Sequence, residues 1–256
     1  IPRLDREGKV CGLELWENLV CAQEHENVVV LMAGGLGSRL GELTSNCPKP
    51  MLQVGTRPIL ETIMQNCREQ GIRRFYISVN YKAHMVKDYF GDGSRFGVEV
   101  RYLEEKKRMG TAGALGLMPE ISGAPIVVMN GDVLTRVNLG NLLEFHAQHR
   151  SVATMCVREY EFQVPYGVVQ VRNHRLQEIQ EKPVHRFFVN AGIYVLNPEA
   201  LAMIPKDEFF DMPALFELML KQKMETAAFP IREYWLDIGR MDDFHRANDE
   251  FSEVFS

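Results

Sequence analysis

Residues 31–53 of the chain read LMAGGLGSRLGELTSNCPKPMLQ and place two cations close to several glycines. Arg39 has a planar guanidinium that can hold two phosphate oxygens at once. Lys49 lies between Pro48 and Pro50, which restrict the backbone on both sides and suit the lysine to placing a fixed positive charge. Taken alone, Lys49 is more ordinary as a solvated loop cation. Together with the glycines, the two cations favour a loop that binds phosphate.

The glycines at positions 34, 35, 37 and 41 follow an apolar run that is typical of a buried strand. A loop at the carboxyl end of a strand can bring backbone N–H groups close to phosphate where glycine leaves no Cβ in the way. The segment fits neither usual glycine fingerprint. GxGxxG needs a glycine where Leu40 stands, and GxxxxGK[ST] needs a glycine directly before the lysine. From the glycines alone, a phosphate loop and a tight turn stay equally open.

Two aspartates are candidates for binding a hard metal ion. Asp132 follows the apolar run 126–129, and Asp237 lies in Trp235-Leu236-Asp237-Ile238-Gly239, far along the chain. Mg²⁺ prefers oxygen ligands, and a carboxylate at the end of a strand is well placed to provide one. Either aspartate alone is as ordinary in a turn or as a helix cap. Two of them, each beside a glycine at a strand end, favour a metal pair.

A second glycine segment, Gly110-Thr111-Ala112-Gly113-Ala114-Leu115, opens a predicted helix. Small residues there either let the backbone approach a ligand or pack the helix against its surroundings, and the sequence does not decide between the two. Glu105 lies just upstream, in the charged run 104–108. Most of that run is predicted to be a solvated loop.

The tripeptide Glu181-Lys182-Pro183 ends another predicted strand. Lys182 could meet a sugar phosphate, and Glu181 could accept hydrogen bonds from sugar hydroxyls. A lone Glu-Lys-Pro is usually just a strand that ends in a turn. Gly167 and Asn190 lie in strand-like segments on either side; the glycine permits close approach, and the asparagine offers both a donor and an acceptor.

The elements that must position these residues alternate between strands and helices in the first half of the chain. Such β–α repeats predict a mostly parallel sheet with helices on both faces. The second half adds strands with little helix between them, which predicts a small antiparallel part with a hairpin turn at Asn173-His174. The predicted strands are 28–33, 75–80, 98–103, 126–130, 152–158, 167–171, 176–180 and 191–196, and the predicted helices are 58–70, 82–90, 111–118, 139–149, 212–222 and 241–253.

Composition narrows the function classes. The 256 residues carry a formal net charge of -5, which argues against sequence-independent nucleic-acid binding, because that binding depends on Lys and Arg. An anionic substrate would need a local cationic pocket or a metal.

Five cysteines without a CxxC pair argue against a disulfide framework or a zinc site and favour the cytoplasm. His146 and His149 lack the further ligands that zinc needs. No apolar run is long enough to span a membrane.

Residues 1–22 read as strand, Asp/Gly turn, strand and short helix. This pattern resembles the end of a CBS module, and a plain N-terminal hairpin is the alternative. The chain begins at Ile1, which suggests a fragment of a longer protein. We therefore predict a CBS remnant at 1–22, which would tether the chain to an upstream CBS module, and a main domain at 27–256.

Residues 31–40, followed by Pro48-Lys49-Pro50-Met51-Leu52, resemble the signature AGGxGTRLxPLT…PKPM of the sugar-1-phosphate nucleotidyltransferases. Ser38 replaces the usual threonine and keeps the hydroxyl, whereas Glu42 replaces a proline and affects loop stiffness more than chemistry. The order and rough spacing of motifs agree over residues 28–240. The resemblance implies an α/β, Rossmann-like fold of the GT-A type, with a small antiparallel sugar-binding part.

The resemblance also implies roles for individual residues. It implies that the catalytic residues are Arg39, Lys49 and Lys182, that the metal ligands for Mg²⁺ are Asp132 and Asp237, that nucleotide is bound by Ala33, Gly34, Gly35, Gly37, Ser38, Glu105, Gly110, Thr111 and Ala112, and that sugar is bound by Gly167, Glu181 and Asn190.

The implied reaction joins a nucleoside triphosphate to a sugar 1-phosphate and releases pyrophosphate. Glu105 and the CBS-like lead segment favour GTP, while uridylyl, thymidylyl and cytidylyl transfer stay open. Two alternatives are a catalytically silent regulatory relative, which would usually lack the loop arginine or the carboxylates, and a GT-A glycosyltransferase, which would show a DxD motif in place of Asn130-Gly131-Asp132. No nucleic-acid or membrane partner is expected, and a homo-oligomer is left open.

Overall fold

The computed structural model describes residues 2–4, 9–13, 24–35, 37–119 and 123–255. The strands are β1 (Pro2–Leu4), β2 (Val10–Leu13), β3 (His25–Met32), β4 (Gln53–Val54), β5 (Arg57–Pro58), β6 (Ile72–Val79), β7 (Glu99–Glu104), β8 (Ile126–Asn130), β9 (Val133–Thr135), β10 (Ala153–Gln163), β11 (Val168–Arg172), β12 (Arg175–Gln180), β13 (Val184–Leu196), β14 (Thr226–Ile231) and β15 (Trp235–Asp237). The α-helices are α1 (Ile59–Glu69), α2 (Ala83–Phe90), α3 (Gly110–Gly113), α4 (Leu139–Gln148), α5 (Pro198–Leu201), α6 (Met212–Lys221) and α7 (Met241–Phe255), and short 3₁₀ helices cover Ser38–Thr44, Lys49–Met51, Ser94–Phe96 and Ala114–Leu117.

Seven strands form the central sheet, in the order β14-β10-β13-β8-β3-β6-β7. β13 runs antiparallel to both of its neighbours, β10 and β8, and the other neighbouring pairs are parallel. The predicted α/β class with a mostly parallel sheet is therefore confirmed. No helix in the described part is long and apolar enough to cross a membrane.

The sheet is buried on both faces because its central strands are apolar at consecutive positions. In β3, Val29 and Leu31 face one core, and Val28 and Val30 face the other. Helices α1, α2, α4 and α7 contribute side chains to the first core, and α3, α5 and α6 contribute to the second. This three-layer arrangement directs the carboxyl ends of β3, β7 and β8 to one edge, where a ligand can reach them.

Most helices agree with the prediction to within a few residues, but the helix predicted at 111–118 differs. It consists of one turn of α-helix, α3, followed by the 3₁₀ helix Ala114–Leu117. Gly110, with φ +79°, begins it, and a Cβ on Gly113 would lie 2.6 Å from the Glu208 carbonyl oxygen. A neighbouring loop therefore crowds the segment where a regular helix was expected.

β10 and β13 are much longer than the predicted strands 152–158 and 191–196. Their pairing to each other continues to Gln163↔Val184, whereas β10 stays paired to β14 only as far as Arg158. The hairpin β11–β12 follows at the end of this ribbon, and its turn has Asn173 and His174 at φ 49° and 60°, as expected for the predicted hairpin turn. We call residues 159–190 the arm.

In the N-terminal region, β1 and β2 pair antiparallel, with Pro2 opposite Leu13. The two predicted strands are thus present. The predicted turn and short helix lie outside the described residues, and the CBS remnant stays a prediction.

The turn between β4 and β5 provides a test of core packing. Gly55 has φ +62°, and a Cβ there would lie 2.1 Å from Cδ1 of Phe251, a buried residue of α7. We expect Gly55→Ala to reduce the free energy of unfolding by about 2–5 kcal/mol, because left-handed strain adds to overpacking. Urea denaturation measures the change.

Gly97→Ala is the matched control, since Gly97 has a left-handed backbone (φ 69°, ψ 31°) but no atom of the described residues within 4 Å of its Cβ position. It should lose only about 1–2 kcal/mol from backbone strain. Equal losses for the two variants would contradict the packing argument.

Candidate active site

A cleft of about 400 Å³ opens at the carboxyl edge of the sheet. This volume lies within the range of small-molecule binding sites. The lining residues come from the ends of β3, β7 and β8, from the loop and 3₁₀ helices that follow β3, from the start of α3, from the segment between α5 and α6, and from the residues that follow β15. They are Met32, Gly34, Gly35, Gly37, Arg39, Lys49, Pro50, Glu105, Arg108, Gly110, Thr111, Asn130, Gly131, Asp132, Phe209, Asp211 and Gly239.

The glycine loop is closed by Thr44, whose hydroxyl lies 3.0 Å from the Gly37 carbonyl oxygen and 3.1 Å from that of Gly41. Gly37 has φ +66°, and a Cβ there would lie 2.9 Å from Cβ of Lys49. Glycine is therefore required both by the backbone angle and by the close approach of the lysine segment. The loop holds the two sequence-predicted cations on the same cleft.

Lys49 is not a solvated loop cation, because only 9% of it is exposed. Its ammonium donates a short hydrogen bond to a carboxylate oxygen of Asp132, so the two form an ion pair. The 3₁₀ helix Lys49–Met51 begins directly after Pro48, which has an extended backbone. The proline restricts the backbone next to Lys49 and so limits where the lysine side chain can point.

Asp237 is brought beside Asp132 by the two-stranded ladder β9–β15. Asp237 pairs with Val133, and the Ile238 N–H donates to the Asp132 carbonyl oxygen at 3.0 Å. The Asp237 carboxylate is exposed, yet it lies in a concave region, where desolvation and the charge of Asp132 raise its pKa against the opposing effects of Lys49 and Arg39. The two carboxylates thus repel each other.

Arg39 lies near Asp237 at the same cleft. A Cβ on Gly239 would be 3.8 Å from an Arg39 guanidinium nitrogen and 3.9 Å from a carboxylate oxygen of Asp237. Arg39 itself is exposed and makes no ion pair within the part of the chain that the structure describes. Its fork of N–H donors therefore stays open to a ligand.

Glu105 is held in a fixed position on another wall of the cleft. Its Oε1 accepts a short hydrogen bond from the Ser78 hydroxyl, and its Oε2 accepts one from the Met109 N–H at 3.0 Å. A Cβ on Gly34 would lie 2.3 Å from Oε1, so only glycine leaves room for this carboxylate. Each oxygen has a second lone pair that can accept a bond from a ligand.

The second glycine segment turns out to pack against the loop 208–211. The Phe210 carbonyl accepts the N–H groups of Ala112 and Gly113 at 2.9 and 2.8 Å, and the Asp211 carboxylate accepts that of Thr111 at 2.8 Å. Of the two interpretations that the sequence left open, packing accounts for these glycines. The N–H of Ala112 is therefore not available to nucleotide, and its side chain is fully buried.

The other sequence-predicted residues divide into two groups. Gly34, Gly35, Gly37, Gly110 and Thr111 line the cleft, together with Arg39, Lys49, Glu105 and Asp132. Asp237 is not itself a lining residue, but it lies beside Asp132 and two positions before the lining residue Gly239. The buried Ala33 lies behind the lining and donates its N–H to the Ser78 carbonyl, and the side chain of Ser38 lies outside the described residues. Glu42, the other departure from the family signature, is exposed and is not among the lining residues.

The predicted sugar-binding residues do not line the cleft. Gly167, Glu181 and Lys182 belong to the arm, where both Glu181 and Lys182 are exposed. Asn190 lies at the base of the arm and donates to the Tyr194 hydroxyl at 2.8 Å. The cleft therefore brings together the predicted phosphate, nucleotide and metal residues but not the sugar residues.

Sequence reasoning missed several lining residues, above all Asp211, Phe209 and Arg108. Asp211 precedes Met212-Pro213 at the start of α6, which is a helix-start pattern that could have drawn attention to it. Phe209 carries no such signal. Arg108 was assigned to a solvated loop, and although it is exposed, it lines the cleft.

Asn130 is a further missed lining residue. Its side-chain oxygen is buried and has no hydrogen-bond partner among the described residues, and a Cβ on Gly192 would lie 2.7 Å from its amide nitrogen. A buried acceptor without a donor is uncommon, which suits this position to a ligand or water.

Asp132 and Asp237 fit a hard cation. Both offer carboxylate oxygens, and a positive ion held by them would relieve the repulsion that, after desolvation, raises the pKa of Asp237. The described residues contain no cluster of three or more His, Cys, Asp or Glu side chains, so waters or substrate oxygens would complete the coordination. Mg²⁺ commonly binds through one or two carboxylates in this way.

Comparison with known proteins places this geometry in context. The model of the nucleotidyl transferase family matches residues 28–253. The chain is 32% identical to a mannose-1-phosphate guanyltransferase of Pichia angusta, and the match covers 84% of the present chain. It is 30% identical to a D-glycero-alpha-D-manno-heptose 1-phosphate guanylyltransferase of Aneurinibacillus thermoaerophilus, covering 86% of the chain and 96% of that relative. It is also 29% identical to a UTP–glucose-1-phosphate uridylyltransferase of Synechocystis, over 85% of the chain.

The chain spans only 61% of the length of the Pichia and Synechocystis relatives. Among solved structures, HddC from Yersinia pseudotuberculosis aligns with a TM-score of 0.69 at 28% identity, over 88% of this chain and 99% of that one. A second structure of HddC is a complex with GMP-PN, at 26% identity and the same TM-score. These structures agree with the α/β sheet described above.

The raised pKa of Asp237 gives a stability prediction. Since the folded-state pKa lies above the ordinary value of 3.8, ionising Asp237 costs stability; the cost is absent below pH 3.8 and complete above the folded-state pKa. We expect Asp237→Asn to stabilise the metal-free protein at neutral pH by less than about 1 kcal/mol, because the group is solvent-exposed. The gain should shrink as the pH falls towards 4, as measured by urea denaturation with a chelator present.

Asp242→Asn provides the control, since Asp242 is exposed in the first turn of α7. It should lose a few tenths of a kcal/mol to about 1 kcal/mol through the helix dipole. A loss of stability in Asp237→Asn at neutral pH would show that the carboxylate repulsion is not the dominant effect.

Proposed function

Because the chain belongs to the nucleotidyl transferase family, we propose that it condenses a nucleoside triphosphate with a sugar 1-phosphate to give a nucleoside diphosphate sugar and pyrophosphate. The observation that supports this most directly is the convergence of Arg39, Lys49 and Asp132 on one cleft beside a glycine loop, with Asp237 held next to Asp132. Such a site suits chemistry between two anions, in which positioning and charge neutralisation are the main tasks.

In the proposed reaction, an oxygen of the sugar phosphate attacks the α-phosphorus. The bond from the α-phosphorus to the bridging oxygen of the β-phosphate breaks, and pyrophosphate leaves with that oxygen. No protein nucleophile is required. The charge that builds up on the transferred and leaving phosphates must be balanced by groups that are already in place.

Arg39 is assigned to the β- and γ-phosphates, because its guanidinium is exposed at the cleft and beside the glycine loop. Lys49 is assigned to the α-phosphate, since its ammonium reaches the cleft from a restricted backbone position. Asp132, the present partner of Lys49, and Asp237 would hold Mg²⁺, which would supply further positive charge to balance the phosphates.

The arm would provide the sugar half of the reaction. Lys182 is assigned to the attacking phosphate, and Glu181, Gly167 and Asn190 are assigned to the sugar. Lys182 has a φ of 44°, an uncommon angle for a residue other than glycine, and it lies at the turn that follows β12. The arm residues lie outside the cleft lining, so these assignments rest on the resemblance of their segments to the family.

For the base we propose guanine. Its Watson–Crick edge presents two N–H donor groups, and the Glu105 carboxylate has lone pairs free to accept from both while Ser78 and Met109 fix it in place. The guanylyltransferase names of two relatives and the GMP-PN complex of HddC support the same choice. The similar uridylyltransferase makes UTP the competing base.

A catalytically silent regulatory relative is the second candidate, but Arg39, Lys49, Asp132 and Asp237 are all retained. A GT-A glycosyltransferase is the third candidate, and the glycine loop with its two cations argues against it.

We further propose that residues 1–22 are the end of a CBS module tethered to this domain. A reducing cytoplasm agrees with the free thiols of Cys47, Cys67 and Cys156.

An assay of pyrophosphate release tests the function. GTP, UTP, dTTP, CTP and ATP are each combined with mannose, glucose and heptose 1-phosphates in the presence of Mg²⁺. We expect turnover with GTP and one of these sugars, and a loss of about 10²–10³-fold or more in Arg39→Ala and Asp132→Asn. Arg101→Ala, a change of an exposed arginine on β7, should retain full activity.

No pyrophosphate release with any pair would favour the silent relative. Turnover that persists in Arg39→Ala and Asp132→Asn at the rate of the unmodified chain would overturn the assigned roles.

Two glycines test the base pocket. A Cβ on Gly34 would displace the Glu105 carboxylate, whereas a Cβ on Gly116, which does not line the cleft, would make only ordinary contacts of 3.6 Å or longer among the described residues. We expect Gly34→Ala to raise the KM for the preferred nucleotide about tenfold or more, since at least 1.4 kcal/mol of binding is lost, and Gly116→Ala to change it little. Steady-state kinetics with a saturating sugar phosphate measure both, and equal KM values would argue against Glu105 as a base contact.

A further inference from the structure

Residues 78–82 include the end of β6 and the start of the segment that follows it, and none of them lines the cleft. Each nevertheless forms a hydrogen bond to one of two walls of the cleft. One wall carries Glu105, and the other is the glycine loop, whose far end lies at Thr44 and Ser45. We call residues 78–82 the anchor segment. A single short stretch of chain therefore contacts both the wall assigned to the base and the wall assigned to the phosphates.

Three consecutive residues of the anchor segment hold Glu105. The Ser78 hydroxyl donates to its carboxylate, and the Val79 carbonyl oxygen accepts its N–H at 3.0 Å. Asn80 adds a third bond, from its side-chain amide to the Glu105 carbonyl oxygen at 2.8 Å. Ser78 is fully buried and Val79 acts through its main chain, whereas Asn80 is only partly buried. The Asn80 bond is therefore the one that a substitution can remove without disturbing the core.

The next two residues hold the far end of the glycine loop. The Tyr81 hydroxyl lies 3.0 Å from the Ser45 carbonyl oxygen and 3.3 Å from that of Thr44. The Lys82 ammonium donates to the Ser45 carbonyl oxygen at 2.7 Å. Both carbonyls lie at the end of the 3₁₀ helix Ser38–Thr44, and the last carbonyls of a helix need donors from outside it. Tyr81 and Lys82 supply those donors.

Thr44 passes this constraint on to Arg39. Its hydroxyl lies 3.0 Å from the Gly37 carbonyl oxygen and 3.1 Å from that of Gly41, and Arg39 lies between these two glycines in the chain. The guanidinium of Arg39 makes no ion pair within the part of the chain that the structure describes. The position of Arg39 at the cleft therefore depends on the loop backbone, which Tyr81 holds through Thr44.

The backbone at Lys82 supports a specific role for this end of the segment. It has φ 50° and ψ 40°, a left-handed conformation that few residues other than glycine adopt. The Lys82 ammonium lies 5.3 Å from the centre of the Tyr81 ring, so both side chains reach the same end of the loop. Unfavourable backbone angles of this kind persist where the surrounding contacts enforce them, and they are common near functional sites.

We propose that the anchor segment positions the two halves of the nucleotide site separately. Asn80 positions the base half through Glu105, and Tyr81 positions the phosphate half through Thr44 and the loop that carries Arg39. Both are positioning residues, since neither lines the cleft. This inference rests on the proposed function for the assignment of the two walls to base and phosphates. Because the bonds go to different walls, each half can be weakened without the other.

Two substitutions, each with a matched control, test the proposal. Tyr81→Phe removes only a hydroxyl, and Tyr102→Phe removes another that donates to a backbone carbonyl oxygen at 2.7 Å but lies outside the cleft lining. Asn80→Ala removes a side-chain amide, and Asn27→Ala removes another that donates to a backbone carbonyl oxygen at 2.7 Å, also outside the lining. Far-ultraviolet circular dichroism confirms that all four variants fold.

Isothermal titration calorimetry in the presence of Mg²⁺ measures the affinities for pyrophosphate, GMP and GTP, with UMP and UTP in their place if the assay of pyrophosphate release selects UTP. We expect Tyr81→Phe to weaken pyrophosphate and GTP binding about two- to tenfold and to leave GMP binding unchanged, because one hydrogen bond behind the phosphate half is lost. Asn80→Ala should weaken GMP and GTP binding by a similar factor and leave pyrophosphate binding unchanged. Both controls should retain all three affinities.

Equal losses for all three ligands would mean that the anchor segment only stabilises the fold, and would overturn the proposal, as would unchanged affinities in Tyr81→Phe and Asn80→Ala. An unmodified chain that binds no nucleotide would overturn the proposed function, and this inference with it. Amide hydrogen exchange of the ligand-free chain adds a measurement that needs no nucleotide. Residues 39–45 should exchange faster in Tyr81→Phe than in Tyr102→Phe, and equal exchange would contradict the role of Tyr81.

Discussion

The short ladder between β9 and β15 is the constraint on which the cleft depends. It joins two strands that lie about a hundred residues apart in sequence, and its register sets Asp237 beside Asp132. Desolvation and the repulsion between the two carboxylates together raise the pKa of Asp237. Lys49 and Arg39 oppose this increase without cancelling it, which leaves the pair receptive to further positive charge.

The glycines around the cleft serve different physical purposes. Gly37 combines a left-handed backbone with the close approach of Lys49, and Gly34 leaves space for Glu105. Gly110 and Gly113 admit a protein loop instead of a ligand. Glycine content alone therefore does not distinguish a loop that contacts phosphate from one that packs against the chain. The atoms that lie next to each glycine in the structure do distinguish them.

The central sheet and most of its helices could be predicted from apolar runs and helix periodicity, because burial on both faces leaves a strong pattern in the sequence. The position of the cleft followed from the carboxyl ends of β3 and β8. The three-residue strands β9 and β15 were too short to carry a pattern. Asp211 and Phe209 were missed because their place in the cleft depends on tertiary docking of 208–211 against α3. The exposed extent of the arm was also missed, since alternation along a strand says which face is apolar but not whether anything covers it.

The loop 208–211 takes up the first N–H groups of α3 through its own carbonyl and carboxylate. The positive end of that helix is thereby neutralised within the protein, and the wall of the cleft at this point consists of Phe209 and Asp211 side chains. Within this short segment, the Phe210 carbonyl and the Asp211 carboxylate hold α3, whereas the Phe209 side chain lines the cleft. Evolution can vary the side chains at 209 while the docking of the main chain remains intact, which makes this loop a place where related proteins could diverge in ligand without rebuilding the sheet.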